Sequence, residues 1–225
     1  MRHTLDVKHI YEDSLFELSA IPPIESEEDE EQYAAGLEHL YAKHSNVLMQ
    51  MAKAAYELRS QMKEAGTEDG FDRLDDCHTF LDRFYMSRIG IRVLAGQYLG
   101  LRQQHFDAGL NNPANDYLGI ICKRTSAYHV VSHAAHDATW MCQRTFGEAP
   151  EVTVQGNLDL TFAYIPTHLH YILLEIIKNS MRATMERHNF VGTDQDVPPV
   201  QVVIADSEQN EDVVIKISDQ VRFGE

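Results

Sequence analysis

The chain has 225 residues, enough for one large domain or two small ones, and for a buried core. Its 44% hydrophobic and 24% charged residues exclude a collagen-like chain, a coiled-coil rod and wholesale disorder. With 35 acids against 19 bases the net charge is −16, which argues against sequence-independent nucleic-acid binding and against an anionic membrane surface. No apolar run approaches the ~18–20 residues of a spanning helix, so no membrane insertion is expected. The cysteines, Cys77, Cys122 and Cys142, form no CxxC pair, which fits a reducing compartment rather than a disulfide framework or zinc ribbon. The opening MRHTLDVKHI lacks the apolar core of a signal peptide and the arginine richness of a transit peptide.

In chain order, the first ~20 residues, with Ile10, Leu15, Phe16 and Leu18, read as the tail of a fourth helix, and Pro22-Pro23 follow. Six acids in the seven residues Glu25 to Glu31 suit a solvated loop and a helix N-terminus. One long helix is predicted from Glu28 to Lys63, with Tyr33, Leu37, Leu40, Val47, Leu48, Met51, Ala55 and Leu58 at 3–4 spacing. Gly66 to Gly70 breaks it, and a second helix follows from Asp72 to Gln103. Residues 107–115 read as a loop, and a third helix runs from Ser126 to Phe146, closed by Gly147 and Pro150. After Pro150 the pattern changes. Val152 and Val154 alternate as a strand, Gly156-Asn157 reads as a turn, and Leu158 to Ile165 as the second arm of a hairpin. Pro166 starts a helix to His188, a loop covers 189–199, and strands are predicted at Val200 to Ala205 and Val213 to Ser218 around the turn SEQNED. The class is α+β: a four-helix-type bundle over 1–148, then a mixed layer over 149–225.

The helix YILLEIIKNSMRATMERH carries the chemistry. Ile172, Leu173, Ile176, Ile177 and Met181 give an apolar face, and Glu175, Asn179, Arg182 and Glu186 fall at i, i+4, i+7 and i+11 on one side. A carboxylate can take a proton or orient a nucleophile, and an amide oxygen suits a hard cation such as Mg²⁺. Lys178 and Arg182 can reach phosphate oxygens. An outward polar stripe with ordinary i,i+4 pairing would use the same residues.

LLEIIKNSMRAT resembles the N-box of the Bergerat (GHKL) ATP-binding fold of histidine kinases, type II topoisomerases and Hsp90-type chaperones. FLDRFYMSRIGIRVLAGQ, DYLGIICKR, GEAPEV and FAYIPTHLHYILLEIIKNSMRATMERH resemble, in that order, the mitochondrial 2-oxoacid dehydrogenase kinases, which act on pyruvate or branched-chain 2-oxoacid dehydrogenase. The resemblance implies a helical bundle followed by a partial GHKL α/β sandwich. It implies Glu175 as the general base, Asn179 as the Mg²⁺ ligand, Lys178 and Arg182 near the phosphates of ATP, and Asp219 as acceptor for the adenine amino group. It implies an ATP-dependent serine kinase of the mitochondrial matrix that phosphorylates, and so inactivates, a dehydrogenase subunit. The subunit is that of pyruvate dehydrogenase first, with the branched-chain enzyme as the alternative. A lipoyl-bearing acyltransferase core and a second copy in a homodimer are the implied partners.

The sequence departs from the family pattern in two places. Val221 and Phe223 stand where the glycines of a DxGxG loop are expected, and the chain reads as shorter than the family at both ends. A catalytically inactive binding module is the competing expectation, with little or no ATP binding by this stretch alone. Tyr171 stands one turn before Glu175, with His170 beside it, where some pyruvate enzymes place a histidine. Elsewhere, His129, His133 and His136 read as a solvated helix face, Arg83, Arg88 and Arg92 as partners of acids, and Trp140 with Met141 as core.

Overall fold

The computed structural model describes residues 2–66, 75–107, 116–191, 197–206 and 212–219. The expected turn at 67–70, the loop at 108–115, most of the loop before residue 197, the turn at 207–211, and Val221 and Phe223 lie outside the described residues. The chain forms two compact units, Met1–Leu110 and Asn111–Glu225.

The first unit is helical, with α1 (Arg2–Ala20), α2 (Glu27–Lys43), α3 (Val47–Glu64) and α4 (Asp75–Asp107). Ser26 caps α2: its hydroxyl accepts from the Asp29 amide at 3.2 Å, and four acids fill the first turn. The acidic run therefore serves a helix N-terminus, where carboxylates meet the positive end of the dipole. Val7, Val47 and Met51 are buried together, with Tyr11, Leu81 and Phe84 packed around them.

The single helix expected over 28–63 is two helices, broken at 44–46. The cause is tertiary. The guanidinium of Arg88, 4% exposed, donates from Nη2 to the His44 carbonyl at 2.7 Å. Arg92 donates to the Tyr41 carbonyl at 3.1 Å and lies over the Tyr41 ring. The end of α2 is thus held by cations from α4, which suits the negative end of its dipole. Ser45 and Asn46, both weak helix formers, fall at the break. Arg88 and Arg92 were expected to pair with acids; they pair with carbonyls instead.

His44 is packed edge-on against Tyr11 at 4.5 Å, and its Nε2 lies 2.8 Å from the Ser14 hydroxyl. That hydroxyl donates its proton to the Ile10 carbonyl, so the His44 ring nitrogen is the donor to Ser14. Burial first, then the charges of Arg88, Lys43 and Arg92, push the His44 imidazole below its ordinary value. A group lowered in the folded state adds stability above its unfolded value, about 6.5, and that stability is lost as pH falls through this region. The wild type is therefore expected to lose more thermal stability between about pH 7.5 and about pH 5 than His44→Gln does. Parallel melting curves with equal pH dependence would refute this.

The second unit contains β1 (Tyr117–Leu118), β2 (Ile121–Ser126), α5 (Ala127–Phe146), β3 (Val152–Gly156), β4 (Thr161–Tyr164), α6 (Pro166–Val191), β5 (Val200–Asp206) and β6 (Val213–Ser218). One sheet has the order β1-β2-β4 and the other β3-β5-β6. The α+β class is as expected. Helix α5, grouped with the bundle on periodicity, packs on α6 and falls in this second compact unit. Its inner face explains why: Ala127, Val131, Ala134, Ala135, Ala138 and Cys142 are buried against Leu173, Ile177, Met181 and Met185 of α6 and Val200, Val202 and Ile204 of β5. Small residues along that face let the two helix axes approach closely. Ser126 caps the start of α5, accepting from the His129 amide at 3.3 Å, and Gly147 closes it at φ +86°.

The hairpin expected from β3 and β4 does not form. β3 pairs in parallel with β5, Val152 opposite Val200, while β4 pairs antiparallel with β2, Phe162 opposite Thr125. Gly156 carries the divergence. Its φ is +103°, and an added Cβ would lie 2.0 Å from the Ile204 carbonyl oxygen. Only a glycine lets β3 run this close to β5 before leaving the sheet. The next amide, Asn157, donates to the same carbonyl at 2.9 Å. The hairpin β1–β2 was not foreseen, because its longer strand finds its outer partner far along the chain.

The outer faces also differ from expectation. Trp140 is 54% exposed, with Arg144 over its ring at 4.7 Å, and Ile172 and Ile176 are each 45% exposed. His129, His133 and His136 are exposed, as anticipated. No helix of the described residues is long and apolar enough to cross a membrane.

Candidate functional site

Helix α6 is positioned by the strip of Leu173, Ile177, Met181 and Met185, all buried between α5 and β5. Anchoring that strip turns the opposite side outward, which carries Glu175, Asn179, Arg182 and Glu186. One face of α6 therefore builds the core, and the other presents polar groups.

A cavity of about 410 Å³ opens beside this side. Lys178, Asn179, Arg182 and Glu186 line it from α6, and Met141, Cys142, Thr145 and Phe146 line it from α5. Its size lies within the usual range for small-ligand sites, ~300–1,000 Å³. The α5 wall was missed, because periodicity assigned α5 to the bundle. Burial first, then the charge of Glu148, pushes the Cys142 thiol up, so it serves as apolar lining rather than as a nucleophile.

The charged groups are paired within α6. The Lys178 ammonium donates to both Glu175 oxygens, at 2.6 and 2.7 Å. Arg182 donates through Nε to Glu186 at 2.6 Å, and this bond raises the guanidinium further above its ordinary value. Glu175 does not line the cavity; it reaches it through Lys178. Asn179 is exposed at the cavity. Asp219 directly follows β6, which packs against α6, and it lies outside the cavity lining. The structure thus brings Lys178, Asn179 and Arg182 to one cavity with Glu175 adjoining, while Asp219 is not among the lining residues.

His170 does not turn to Glu175. Its Nε2 lies 3.1 Å from Asp137 Oδ2, a link between α6 and α5. Tyr171 is exposed. Glu175 is paired instead with Lys178. Asp137 carried no local sequence signal for this role, since the pair is tertiary.

The donor set fits a nucleotide with a hard cation. Amide and carboxylate oxygens are the ligands Mg²⁺ prefers, and an ammonium and a guanidinium on the same cavity suit phosphate oxygens. Among the described residues, no group of three or more His, Cys, Asp or Glu side chains is placed to hold a metal ion. A metal here would therefore need oxygen atoms from its ligand, as Mg²⁺ shared with phosphates has.

Comparison with known proteins gives concordant results. A family model described as mitochondrial branched-chain alpha-ketoacid dehydrogenase kinase matches residues 1–122. A mitochondrial pyruvate dehydrogenase (acetyl-transferring) kinase of Arabidopsis thaliana is 38% identical over 216 residues, covering 96% of this chain and 54% of the relative. The protein of the same name from Schizosaccharomyces pombe is 36% identical, over 84% of this chain and 40% of the relative. That from Drosophila melanogaster is 32% identical, over 84% and 45%. The chain spans about half the length of the curated relatives it matches.

Proposed function

This chain belongs to the mitochondrial 2-oxoacid dehydrogenase kinase family, and on that premise we propose that it carries part of the site of an ATP-dependent protein serine kinase of the mitochondrial matrix. The protein substrate is the dehydrogenase subunit of a 2-oxoacid dehydrogenase complex, pyruvate dehydrogenase first. The names of the curated relatives support the pyruvate reading. The name of the family model matched by residues 1–122 favours the branched-chain dehydrogenase as the second reading. The implied partners are a lipoyl-bearing acyltransferase core, docked by the helical unit, and a second copy in a homodimer.

One observation carries the proposal: a carboxylate, a lysine, an asparagine and an arginine stand along one side of α6, three of them on one cavity. Asn179 would hold the metal, Lys178 and Arg182 the phosphates, and Asp219 the adenine amino group. Bound Mg²⁺-ATP supplies the transferable phosphoryl group and neutralises charge on it. Glu175 orients the serine hydroxyl and takes its proton on a carboxylate oxygen. Lys178 and Arg182 hold negative charge in place, and the α5 wall of Met141, Cys142 and Phe146 keeps water from one side of the cavity.

Labelled phosphate should pass from ATP to the dehydrogenase subunit in the full-length protein, and survive acid as phosphoserine does. An acid-labile product would mark phosphohistidine and defeat the reading. Asn179→Ala is expected to abolish turnover with Mg²⁺-ATP while circular dichroism stays unchanged. Near-normal turnover in this variant would remove Asn179 as the metal ligand.

A further inference from the structure

Two duties assigned to α6 conflict in the observed geometry. Lys178 is to meet phosphate, and Glu175 is to take a proton, yet the two are bound to each other through both carboxylate oxygens. While that pair stands, the ammonium is spent on a carboxylate and the carboxylate is covered by an ammonium. We propose that Lys178 is a nucleotide-operated switch: the phosphates of ATP draw its ammonium off Glu175, and seating the nucleotide thereby uncovers the base. The proposal rests on the nucleotide-site reading of the same cavity.

Three observations support it. Lys178 lines the cavity while Glu175, which its ammonium holds, does not, so the lysine is the member of the pair that a ligand in the cavity would meet. Both side chains are partly exposed, 38% and 39%, so the exchange is inexpensive, because water screens such a pair and its net hold is weak. A lysine also has the reach to move, being a compact charge on a four-carbon stem with three donors. A triphosphate offers more negative charge than one carboxylate, so it wins the competition once seated.

Arg182 makes the contrast. It engages Glu186 through Nε, and a guanidinium has five N–H donors, so it can hold a carboxylate and a phosphate together. Lys178 has its charge at one point and must choose. The device makes the base available when nucleotide is present and quenches it otherwise.

The test is calorimetric titration of Mg²⁺-ATP into the full-length protein and its variants. Removing the competitor should release Lys178. Glu175→Gln and Glu175→Ala are therefore expected to bind Mg²⁺-ATP about two- to fivefold more tightly, the equivalent of an exposed ion pair at 1.4 kcal/mol per tenfold. In a Lys178→Met background the same Glu175 changes should have no effect on affinity. That second arm separates the switch from simple loss of a negative charge near phosphate, which would tighten binding in both backgrounds. Equal or weaker binding by both Glu175 variants overturns the switch, and so does tightening that persists without Lys178. A wild type that binds no Mg²⁺-ATP would overturn the nucleotide reading, and the switch with it.

Discussion

Glu175→Gln is expected to slow phosphoryl transfer by the full-length protein about 10²–10⁴-fold, the range for loss of a general base. The glutamine keeps the size and the helix-forming character of the residue, so α6 should stand. On the proposed role, what it loses is a site for the hydroxyl proton. Nucleotide binding should persist, because the groups lining the cavity are Lys178, Asn179 and Arg182 rather than Glu175. The measurement is kcat with saturating Mg²⁺-ATP, set beside the dissociation constant for the nucleotide. A rate near that of the wild type, or a loss confined to nucleotide affinity, would make Glu175 a structural partner of Lys178. On the proposed role, the effect should reside in kcat, since a general base acts where charge develops on the attacking oxygen.

Ile177→Ala is expected to destabilise the second unit by about 2–5 kcal/mol, the cost of removing a large buried aliphatic side chain and leaving a cavity. Ile177 is fully buried, between the alanine-lined face of α5 and the residues of β5. The neighbours cannot easily close the gap, because Ala134, Ala135 and Ala138 have no longer side chain to offer. The polar side of α6 is fixed by this same strip. A denaturant titration should therefore show a lower midpoint for the second unit, with the first unit's helical signal retained. A shift below about 1 kcal/mol would mean that α5 and α6 relax together more readily than close packing allows.

The sequence was informative wherever structure follows from neighbours along the chain. Helix α6, its two faces and the row from Glu175 to Glu186 were legible from period alone, because both the core strip and the polar side obey the 3.6 repeat. The cap at Gly147 and the strands β5 and β6 were legible for the same local reasons. What escaped depends on partners remote in sequence. The break between α2 and α3 is held by Arg88 and Arg92 of α4. The two strands expected as a hairpin part company because β5 offers β3 a parallel edge. The α5 wall of the cavity was hidden because an alanine-rich amphipathic helix suits a bundle and an α/β layer equally well. The pairing of His170 with Asp137 joins two helices and leaves no trace in spacing.

The parallel pairing of β3 with β5 also sets an order of events as the chain is made. β3 leaves the ribosome before its neighbour exists, and the hairpin shortcut is closed to it, because β4 belongs to the other sheet. Its backbone must wait, unpaired, while β4 and the whole of α6 are synthesised. Closing so long a loop slows folding relative to the helices of the first unit, whose turns form from residues already at hand. Helix content should therefore arrive in an early phase, and protection of the Val152–Gly156 amides from hydrogen exchange in a later one that coincides with β5. Throughout that interval β3 is an open strand edge, and the protein is at its most vulnerable to pairing with the wrong chain.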